Sequence, residues 1–268
     1  MYRYEGQLVH ESHDDDGIIE VIDTQGVRSL HFGSSSRQSS MRLNDPDNLE
    51  LDYVRAMMAW LLFKETPGNA LVIGLGGGSL TKYLLHHYTD IQINVIEYRQ
   101  SVVKIARSHF NLPLDPRLKI IIDDGGDYLR KRTDTLADHY NLLFLDAFDH
   151  EGMAESVRNE AFFDACKSVL TADGIMVLNL WGSDKALFQQ VTEWLGRTFK
   201  WRLLFLPVAN KGNIIGFAFG ENVPIVQMKA LRTLAIALEE NHHSIDFQGF
   251  LKEFKRNNAH ILNNVISL

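Results

Sequence analysis

Strand-like and helix-like segments alternate along most of this chain, and that alternation limits the fold more than any other feature. Short apolar runs typical of strands lie near residues 70–74, 91–96, 118–122, 141–145 and 174–179. Segments with helical spacing follow them, near 79–87, 100–109, 126–131, 157–169 and 184–198. The pattern predicts an α/β fold with a doubly wound, mostly parallel sheet. Two further β-like runs, "WRLLFLPV" and "NIIGFAFG", are expected to pair antiparallel at the end of this sheet.

The segments on either side of this central part differ from it. "GIIEVIDTQGVRSLHF" has two β-type runs around the turn "DTQG", which predicts a hairpin in a small N-terminal β domain over residues 1–50. A helix is expected from Leu51 to Phe63, at the start of a Rossmann-like catalytic domain over residues 51–220. Residues 221–268 are interpreted as a tail of amphipathic helical segments.

Composition narrows the class of protein. The 268 residues, 45% of them hydrophobic and 23% charged, fit a soluble globular protein. No apolar run reaches the roughly 20 residues that span a bilayer, and the N-terminus lacks signal-peptide features, so a cytoplasmic location without a membrane partner is expected. The net charge of −7 disfavours a nucleic-acid partner. Cys166 is expected to be buried and structural, and "HESHDDDG" is interpreted as a solvated turn, so that no metal site is expected.

The stretch "LVIGLGGGSL", residues 71–80, runs from a strand through a glycine turn into a helix. Gly74, Gly76 and Gly78 would let the backbone bend and approach a ligand in the crevice where such sheets bind nucleotides. The lysine of a phosphate-binding P-loop is missing from this turn. The turn therefore favours an adenosyl thioether or sulfonium, with a dinucleotide as the alternative. The continuous glycines and the antiparallel strand pair together predict the methyltransferase-like Rossmann sheet of S-adenosylmethionine-dependent enzymes.

Acidic residues follow the next two strands. Glu97 ends the strand "INVIEY", about 20 residues beyond the glycines, where a carboxylate could accept hydrogen bonds from both ribose hydroxyls. In "IIIDDGGDYL", Asp124 is the candidate for the edge of an adenine, and a helix N-cap is its alternative role. Its neighbours Asp123 and Gly125 are included in the candidate nucleoside site.

The fourth strand of the alternating pattern supplies a reactive group. In "YNLLFLDAFDHEGMAES", Asp146 and Asp149 come just after an apolar strand, so both are expected at the same edge of the sheet as the glycines. One could accept a proton from an attacking amine, and the other could hold a cationic substrate by charge-assisted hydrogen bonds. The alternative is a turn that these acids cap for structural reasons.

These motifs resemble those of the spermidine synthases (polyamine aminopropyltransferases). The matching segments are the glycine turn at 74–79, "VIEYRQSVVKIAR", "DDG" at 123–125 and "LDAFDHEGMAES", which is similar to the family's Asp-Ser-Ser-Asp-Pro-x-Gly-Pro-Ala-Glu loop. The resemblance extends from the N-terminal β domain through "NIIGFAFG". It implies decarboxylated S-adenosylmethionine as donor of an aminopropyl group, putrescine or a related amine as acceptor, and a reaction without a metal.

The resemblance also implies roles for individual residues. Asp146 would be the base that deprotonates the amine, and Asp149 and Tyr53 would contact the acceptor. Three residues would contact the nucleoside part of the donor: Gln38, Asp124 and, at the ribose, Glu97. The family further implies a homodimer or homotetramer assembled through the N-terminal β domain.

Three departures from the family pattern leave other functions open. Gly77 stands where the family's Gly-Gly-Gly-Asp-Gly-Gly turn has an aspartate that contacts the donor's ammonium. The loop after Asp146 differs from the family's Ser-Ser-Asp-Pro, and the family tyrosine expected near "PVANKGN" is absent. A turn without that acid could accept the carboxylate of intact S-adenosylmethionine, so a methyltransferase of unknown substrate is the first alternative. A non-catalytic nucleoside-binding homologue is the second.

Overall fold

A computed structural model describes residues 5–147, 154–209 and 211–268. Near the N-terminus it has an antiparallel sheet of four strands in sequential order, β1 (Gln7–Asp14), β2 (Gly17–Thr24), β3 (Val27–His31) and β4 (Ser39–Arg42). The predicted hairpin is the β2–β3 pair, and its two turn residues, Gln25 and Gly26, have φ of 51° and 78°, the geometry of a tight hairpin turn. Strands β1 and β4 were not predicted, because "QLVHESHD" and "SSMR" lack the Ile and Val runs of the hairpin.

The central sheet has seven strands. They are β5 (Asn69–Ile73), β6 (Gln92–Glu97), β7 (Leu118–Ile122), β8 (Tyr140–Leu145), β9 (Leu170–Trp181), β10 (Leu203–Pro207) and β11 (Asn213–Phe219). Their order is β10-β11-β9-β8-β5-β6-β7. The five strands from β9 to β7 run parallel, and β10 and β11 are antiparallel, which confirms the predicted methyltransferase-like Rossmann sheet.

The strands are apolar on both faces because helices cover both. In β8, Leu142 and Phe144 pack into one core cluster, whereas Leu143 and Leu145 pack into the other. This explains the continuous apolar run "LLFL", since a parallel sheet covered on both sides has no solvated face.

Eight α-helices are described in the resolved ranges. Five lie between strands of the central sheet: α2 (Ser79–His87), α3 (Gln100–His109), α4 (Gly125–Arg130), α5 (Glu160–Val169) and α6 (Lys185–Thr198). They agree with the predicted helices, except that α5 begins three residues later than expected. The Asn159 side chain caps it by accepting a hydrogen bond from the Phe162 backbone N–H, and a short 3-10 turn, Glu155–Val157, precedes it.

The helix predicted from Leu51 to Phe63 is divided into two types. It starts as α1 (Asp52–Met57) and continues as a 3-10 helix over Met58–Leu62. Every residue of the 3-10 part is buried. The repeat of a helix is inferred from the spacing of its polar and apolar residues. This segment is apolar on all sides, so the sequence could not distinguish an α-helix from a 3-10 helix there.

The N-terminal sheet packs on α3. Ile19, Val21 and Leu30 form a separate buried cluster with Val102 and Ile105 of that helix. The N-terminal strands are therefore held against α3, and a cavity lies between them and the ends of the central strands. The predicted boundaries at residues 50 and 220 stay predictions.

Amphipathic helical segments were predicted for the tail, and the structure has two helices there, α7 (Met228–Asn241) and α8 (Phe247–Asn257). Their apolar faces join the larger core cluster through residues such as Leu231, Ala235 and Phe254. A parallel pair of two-residue strands, β12 (Val226–Gln227) and β13 (Ile266–Ser267), closes the tail and was not predicted. Across the described ranges, the helices are too short or too polar to cross a membrane.

Candidate functional site

A cavity of about 1850 Å³ lies at the carboxyl ends of the parallel strands, between the central and N-terminal sheets. Nine of the residues predicted from the sequence line it: Gln38, Tyr53, Gly74, Gly76, Glu97, Asp123, Asp124, Gly125 and Asp146. Asp149 lies outside the described residues. Parallel strands bring their carboxyl ends to one edge of a sheet, which explains why residues scattered along the chain meet here.

The glycine turn forms one wall of the cavity. Gly74, Gly76 and Gly78 all have positive φ, at 95°, 54° and 76°. A Cβ at Gly74 would overlap the backbone carbonyl oxygen of Asp146, so only glycine lets the two strand ends approach this closely. Gly78 does not line the cavity; it is the N-cap residue of α2 and packs against Leu112.

Glu97 holds the glycine turn through hydrogen bonds to the main chain. Its two carboxylate oxygens accept hydrogen bonds of 2.9 Å from the backbone N–H groups of Leu75 and Arg99. Only 7% of the residue is exposed, and burial raises the pKa of Glu97, with these N–H groups opposing the rise. The Gly76 backbone N–H also favours the ionised carboxylate. Two carboxylate oxygens offer about four lone pairs, so the carboxylate keeps acceptor capacity for a ribose hydroxyl while it holds the turn.

Asp124 has the structural role that the sequence left as an alternative. One of its carboxylate oxygens accepts a hydrogen bond of 2.9 Å from the Asp127 backbone N–H and so caps α4. Asp123 accepts from the Asp124 backbone N–H at 3.0 Å. Both residues still line the cavity, next to Gly125, whose missing side chain leaves room for Ile73.

Asp146 is held at the other end of the cavity by two side chains. Tyr53 donates its hydroxyl hydrogen to Oδ2 at 3.0 Å, and the Asn179 amide donates to Oδ1 at 2.9 Å. Burial raises the pKa of Asp146, and both hydrogen bonds oppose that rise. The pKa of Tyr53 is raised far above its usual value by burial and by the neighbouring Asp146, so Tyr53 stays protonated and donates.

Sequence reasoning missed Asn179 and Asn213. Asn179 is 4% exposed, and its amide oxygen accepts a hydrogen bond of 3.0 Å from the Asn213 amide. Both residues line the cavity. The available signal was an asparagine inside the otherwise apolar strand segment "IMVLNLW", where an amide needs a partner.

The N-terminal sheet covers the cavity through its first hairpin. Arg99 donates two hydrogen bonds to the Asp14 carboxylate, at 2.6 and 3.1 Å, and one to the Gly17 carbonyl oxygen. This clamp places Asp15 and Asp16, interpreted from the sequence as part of a solvated turn, on the cavity wall, where they remain exposed to solvent. In the part of the chain that the structure describes, His, Cys, Asp and Glu side chains form no group of three or more placed to hold a metal.

This arrangement has two functional ends. Backbone groups and acids suited to a nucleoside lie at the carboxyl ends of β5, β6 and β7, and a partly buried carboxylate suited to taking a proton lies after β8. A ligand that fills both ends would place its reactive atom between the glycine turn and Asp146.

Known proteins with similar sequences match nearly the whole chain. The family model for the spermine/spermidine synthase domain matches residues 51–222. A polyamine aminopropyltransferase from Chromobacterium violaceum is 35% identical over 244 residues, 90% of this chain and 90% of that protein. A second, from Neisseria meningitidis serogroup B, is 34% identical with the same coverage of both chains.

Methyltransferases share the central part. The eEF1A lysine and N-terminal methyltransferase of Mus musculus is 30% identical over 58% of this chain but only 24% of that protein. Human methyltransferase-like protein 13 in complex with SAH has a TM-score of 0.64 at 25% identity, covering 72% of this chain and 93% of that chain.

A solved spermidine synthase has the same fold. The enzyme in complex with the transition state analogue AdoDATO has a TM-score of 0.66 at 19% identity, covering 81% of this chain and 74% of that chain. The two aminopropyltransferases named above each cover 90% of both sequences at 34–35% identity. The chain is therefore a transferase that belongs to the spermine/spermidine synthase family.

Proposed function

We propose that this protein transfers an aminopropyl group from decarboxylated S-adenosylmethionine to putrescine or a related small amine, with Asp146 as the base. The observation that carries the proposal is the position of Asp146. The backbone carbonyl of Asp146 lies against Gly74 of the glycine turn, and its partly buried carboxylate, which lines the same cavity, accepts hydrogen bonds from Tyr53 and Asn179. A carboxylate in that place adjoins both the donor's sulfonium end and an incoming amine.

The reaction needs a neutral amine, whereas small alkyl amines are protonated at neutral pH. Asp146 takes one proton from the bound ammonium, and the freed lone pair attacks the aminopropyl carbon next to the sulfonium. A carbon–nitrogen bond forms, the carbon–sulfur bond breaks, and its electron pair stays on sulfur, which leaves neutral methylthioadenosine. The raised pKa of Asp146 makes it a better proton acceptor once ionised.

The rest of the cavity supports a nucleoside donor. Glu97 would bind the ribose with the lone pairs that the turn leaves free. Asp123 and Asp124 would bind the adenine edge, Asp124 through the oxygen that does not cap α4. The backbone carbonyl oxygen of Gln38 lies near Gly76, where the donor would pass between the two sheets.

Tyr53 would serve the acceptor end chiefly by orienting Asp146, because its hydroxyl hydrogen is directed at that carboxylate. Asp149 would hold the second ammonium of a diamine. A homodimer or homotetramer and a cytoplasmic location stay predictions, of which the first is checked by mass measurement in solution.

A methyltransferase acting with intact S-adenosylmethionine is the second candidate, favoured by Gly77. A Cβ there would lie 2.7 Å from the Ser39 hydroxyl oxygen and 2.9 Å from the Phe110 ring, so this backbone leaves no room for the family's acid. Without that acid, nothing at Gly77 distinguishes a donor with an ammonium alone from one that also carries a carboxylate.

The two candidates differ in their products. Purified protein is incubated with putrescine and each donor separately, and the nucleosides are separated by chromatography. Methylthioadenosine formed from the decarboxylated donor supports the proposal, and S-adenosylhomocysteine formed from the intact donor supports a methyltransferase. Neither product, together with a melting temperature raised by either nucleoside, would reject aminopropyl transfer to putrescine and leave a nucleoside-binding protein or an enzyme for another acceptor.

A further inference from the structure

We propose that Asn179 and Asn213 form a relay of amide hydrogen bonds that fixes the orientation of the Asp146 carboxylate, so that Asn213 acts on the reaction through another residue. The inference rests on the proposed role of Asp146 as base. It assigns two positioning residues from the end of β9 and the start of β11, neither of which the sequence pattern selected.

The relay crosses three neighbouring strands. Asp146 follows β8, Asn179 lies near the carboxyl end of β9, and Asn213 begins β11. Strand β9 pairs with β8 on one side and with β11 on the other, which aligns the three side chains at one edge of the sheet. The amide-to-carboxylate distance is 2.9 Å and the amide-to-amide distance is 3.0 Å.

The chemistry of the carboxylate sets the direction of every bond. An ionised carboxylate can only accept, so Asn179 must present its NH₂ to Asp146. Its amide oxygen then faces Asn213, which must in turn present its own NH₂. A reversal of either amide would bring two acceptors together inside the site, where an unmade hydrogen bond costs about 1–3 kcal/mol.

Tyr53 completes the restraint from the opposite side. It donates to Oδ2 while Asn179 donates to Oδ1, so each oxygen has one donor from the protein and one lone pair left for the amine. Two donors on different oxygens restrict rotation of the carboxylate plane. Loss of correct orientation by about 1 Å can cost about 100-fold in rate.

The informative variant is Asn213→Asp, because it keeps the size of the side chain and replaces its donor by a carboxylate. Asn179 would then turn its NH₂ toward position 213 and its oxygen toward Asp146. We expect kcat to fall between about tenfold and 100-fold. The ascending limb of the kcat/KM profile moves to higher pH, since losing a donor disfavours the ionised carboxylate.

Two further variants at this position and one control complete the test. Asn213→Gln retains an amide donor and should keep most of the wild-type kcat. The kcat of Asn213→Ala should lie between those of Asn213→Gln and Asn213→Asp. Asn222→Asp adds the same charge at an exposed position after β11 and should leave the pH profile unchanged. The melting-temperature increase caused by methylthioadenosine should be equal in all four variants.

A wild-type kcat and an unmoved pH limb in Asn213→Asp would overturn the relay, as would equal losses in Asn213→Gln and Asn213→Ala. If Asn213→Asp does not fold, the order of Asn213→Gln and Asn213→Ala decides the question. Failure of the proposed function is recognised separately: wild-type protein would then make no methylthioadenosine. In that case the relay is tested by measuring the free energy of unfolding against pH. Asn179→Leu removes a donor to Asp146, so the pH range in which protonation of Asp146 affects this free energy must reach higher values than in the wild type. An unchanged range would reject the relay.

Discussion

The two ends of the cavity hold their carboxylates in different ways. Glu97, at the nucleoside end, accepts hydrogen bonds from two backbone N–H groups, those of Leu75 and Arg99. Asp146, at the reactive end, accepts from two side chains, those of Tyr53 and Asn179. Burial raises the pKa of both acids. Both carboxylates are thus stabilised by hydrogen-bond donors. Main-chain donors hold Glu97, whereas side-chain donors, which a single substitution can remove, hold Asp146.

The difference indicates which end can vary during evolution. Backbone donors persist whatever side chains occupy positions 75 and 99, so substitutions there leave both hydrogen bonds to Glu97 available. Side-chain donors depend on residue identity, so the reactive end can be altered one residue at a time.

The largest effect is expected from Asp146→Asn. It removes the base, and we expect kcat to fall by about 10² to 10⁴-fold, the usual contribution of general base catalysis. The free energy of unfolding should be unchanged or higher, because a partly buried charge is removed. Steady-state kinetics and urea unfolding measure the two quantities, and titration with methylthioadenosine should show wild-type affinity. Undiminished turnover would exclude Asp146 as the base.

Gly74→Ala tests the point where the two ends meet. The positive φ of 95° and the overlap of a Cβ with the Asp146 carbonyl oxygen should together lower the free energy of unfolding by about 2–4 kcal/mol. Gly26→Ala is the matched control, since Gly26 has φ of 78° and open space around its Cβ position. Gly26→Ala should lower the free energy of unfolding only by the cost of placing a side chain on a left-handed backbone, about 1–2 kcal/mol. Equal destabilisation in urea would show that the close approach at Gly74 is unimportant.

Glu97→Gln should destabilise the fold, in contrast to Asp146→Asn. An amide can accept from only one of the two backbone N–H groups, and its own NH₂ then faces the other donor. We expect a loss of about 1–3 kcal/mol in the free energy of unfolding. Calorimetric titration should also show weaker binding of methylthioadenosine. The contrast between backbone and side-chain support would be wrong if Asp146→Asn proved the less stable variant.

The smallest effect concerns pH. Because the folded-state pKa of Asp146 is raised above its unfolded value of about 4, the folded protein binds more protons between these two values. This residue's contribution to the free energy of unfolding therefore falls as pH rises through that window. Surface acids such as Asp115, whose pKa Arg117 lowers, contribute with the opposite sign. The effect of Asp146 is isolated by comparing the free energies of unfolding of wild type and Asp146→Asn. We expect the stability of Asp146→Asn relative to wild type to increase with pH, as measured by unfolding curves at several pH values.

Much of the cavity could be predicted because its parts are local. The glycines, Glu97 and Asp146 each follow a recognisable apolar strand, and parallel strands deliver whatever follows them to one edge of the sheet. The resemblance to spermidine synthases added Tyr53 as a candidate. The interpretation of Asp14 to Asp16 as a solvated turn missed the clamp by Arg99, which lies 85 residues beyond Asp14 and pairs with it only in the folded chain.

The sequence alone determined the alternation of strands and helices, the glycine turn and the acids at the strand ends, because periodicity and turn chemistry depend on near neighbours. The tertiary structure decided which side chains hold those acids. Tyr53 and Asp146 are 93 residues apart, and Asn179 is separated from Asp146 by 33 and from Asn213 by 34. Contacts over such separations depend on which strands lie side by side and in what register, and only packing of the whole sheet fixes both.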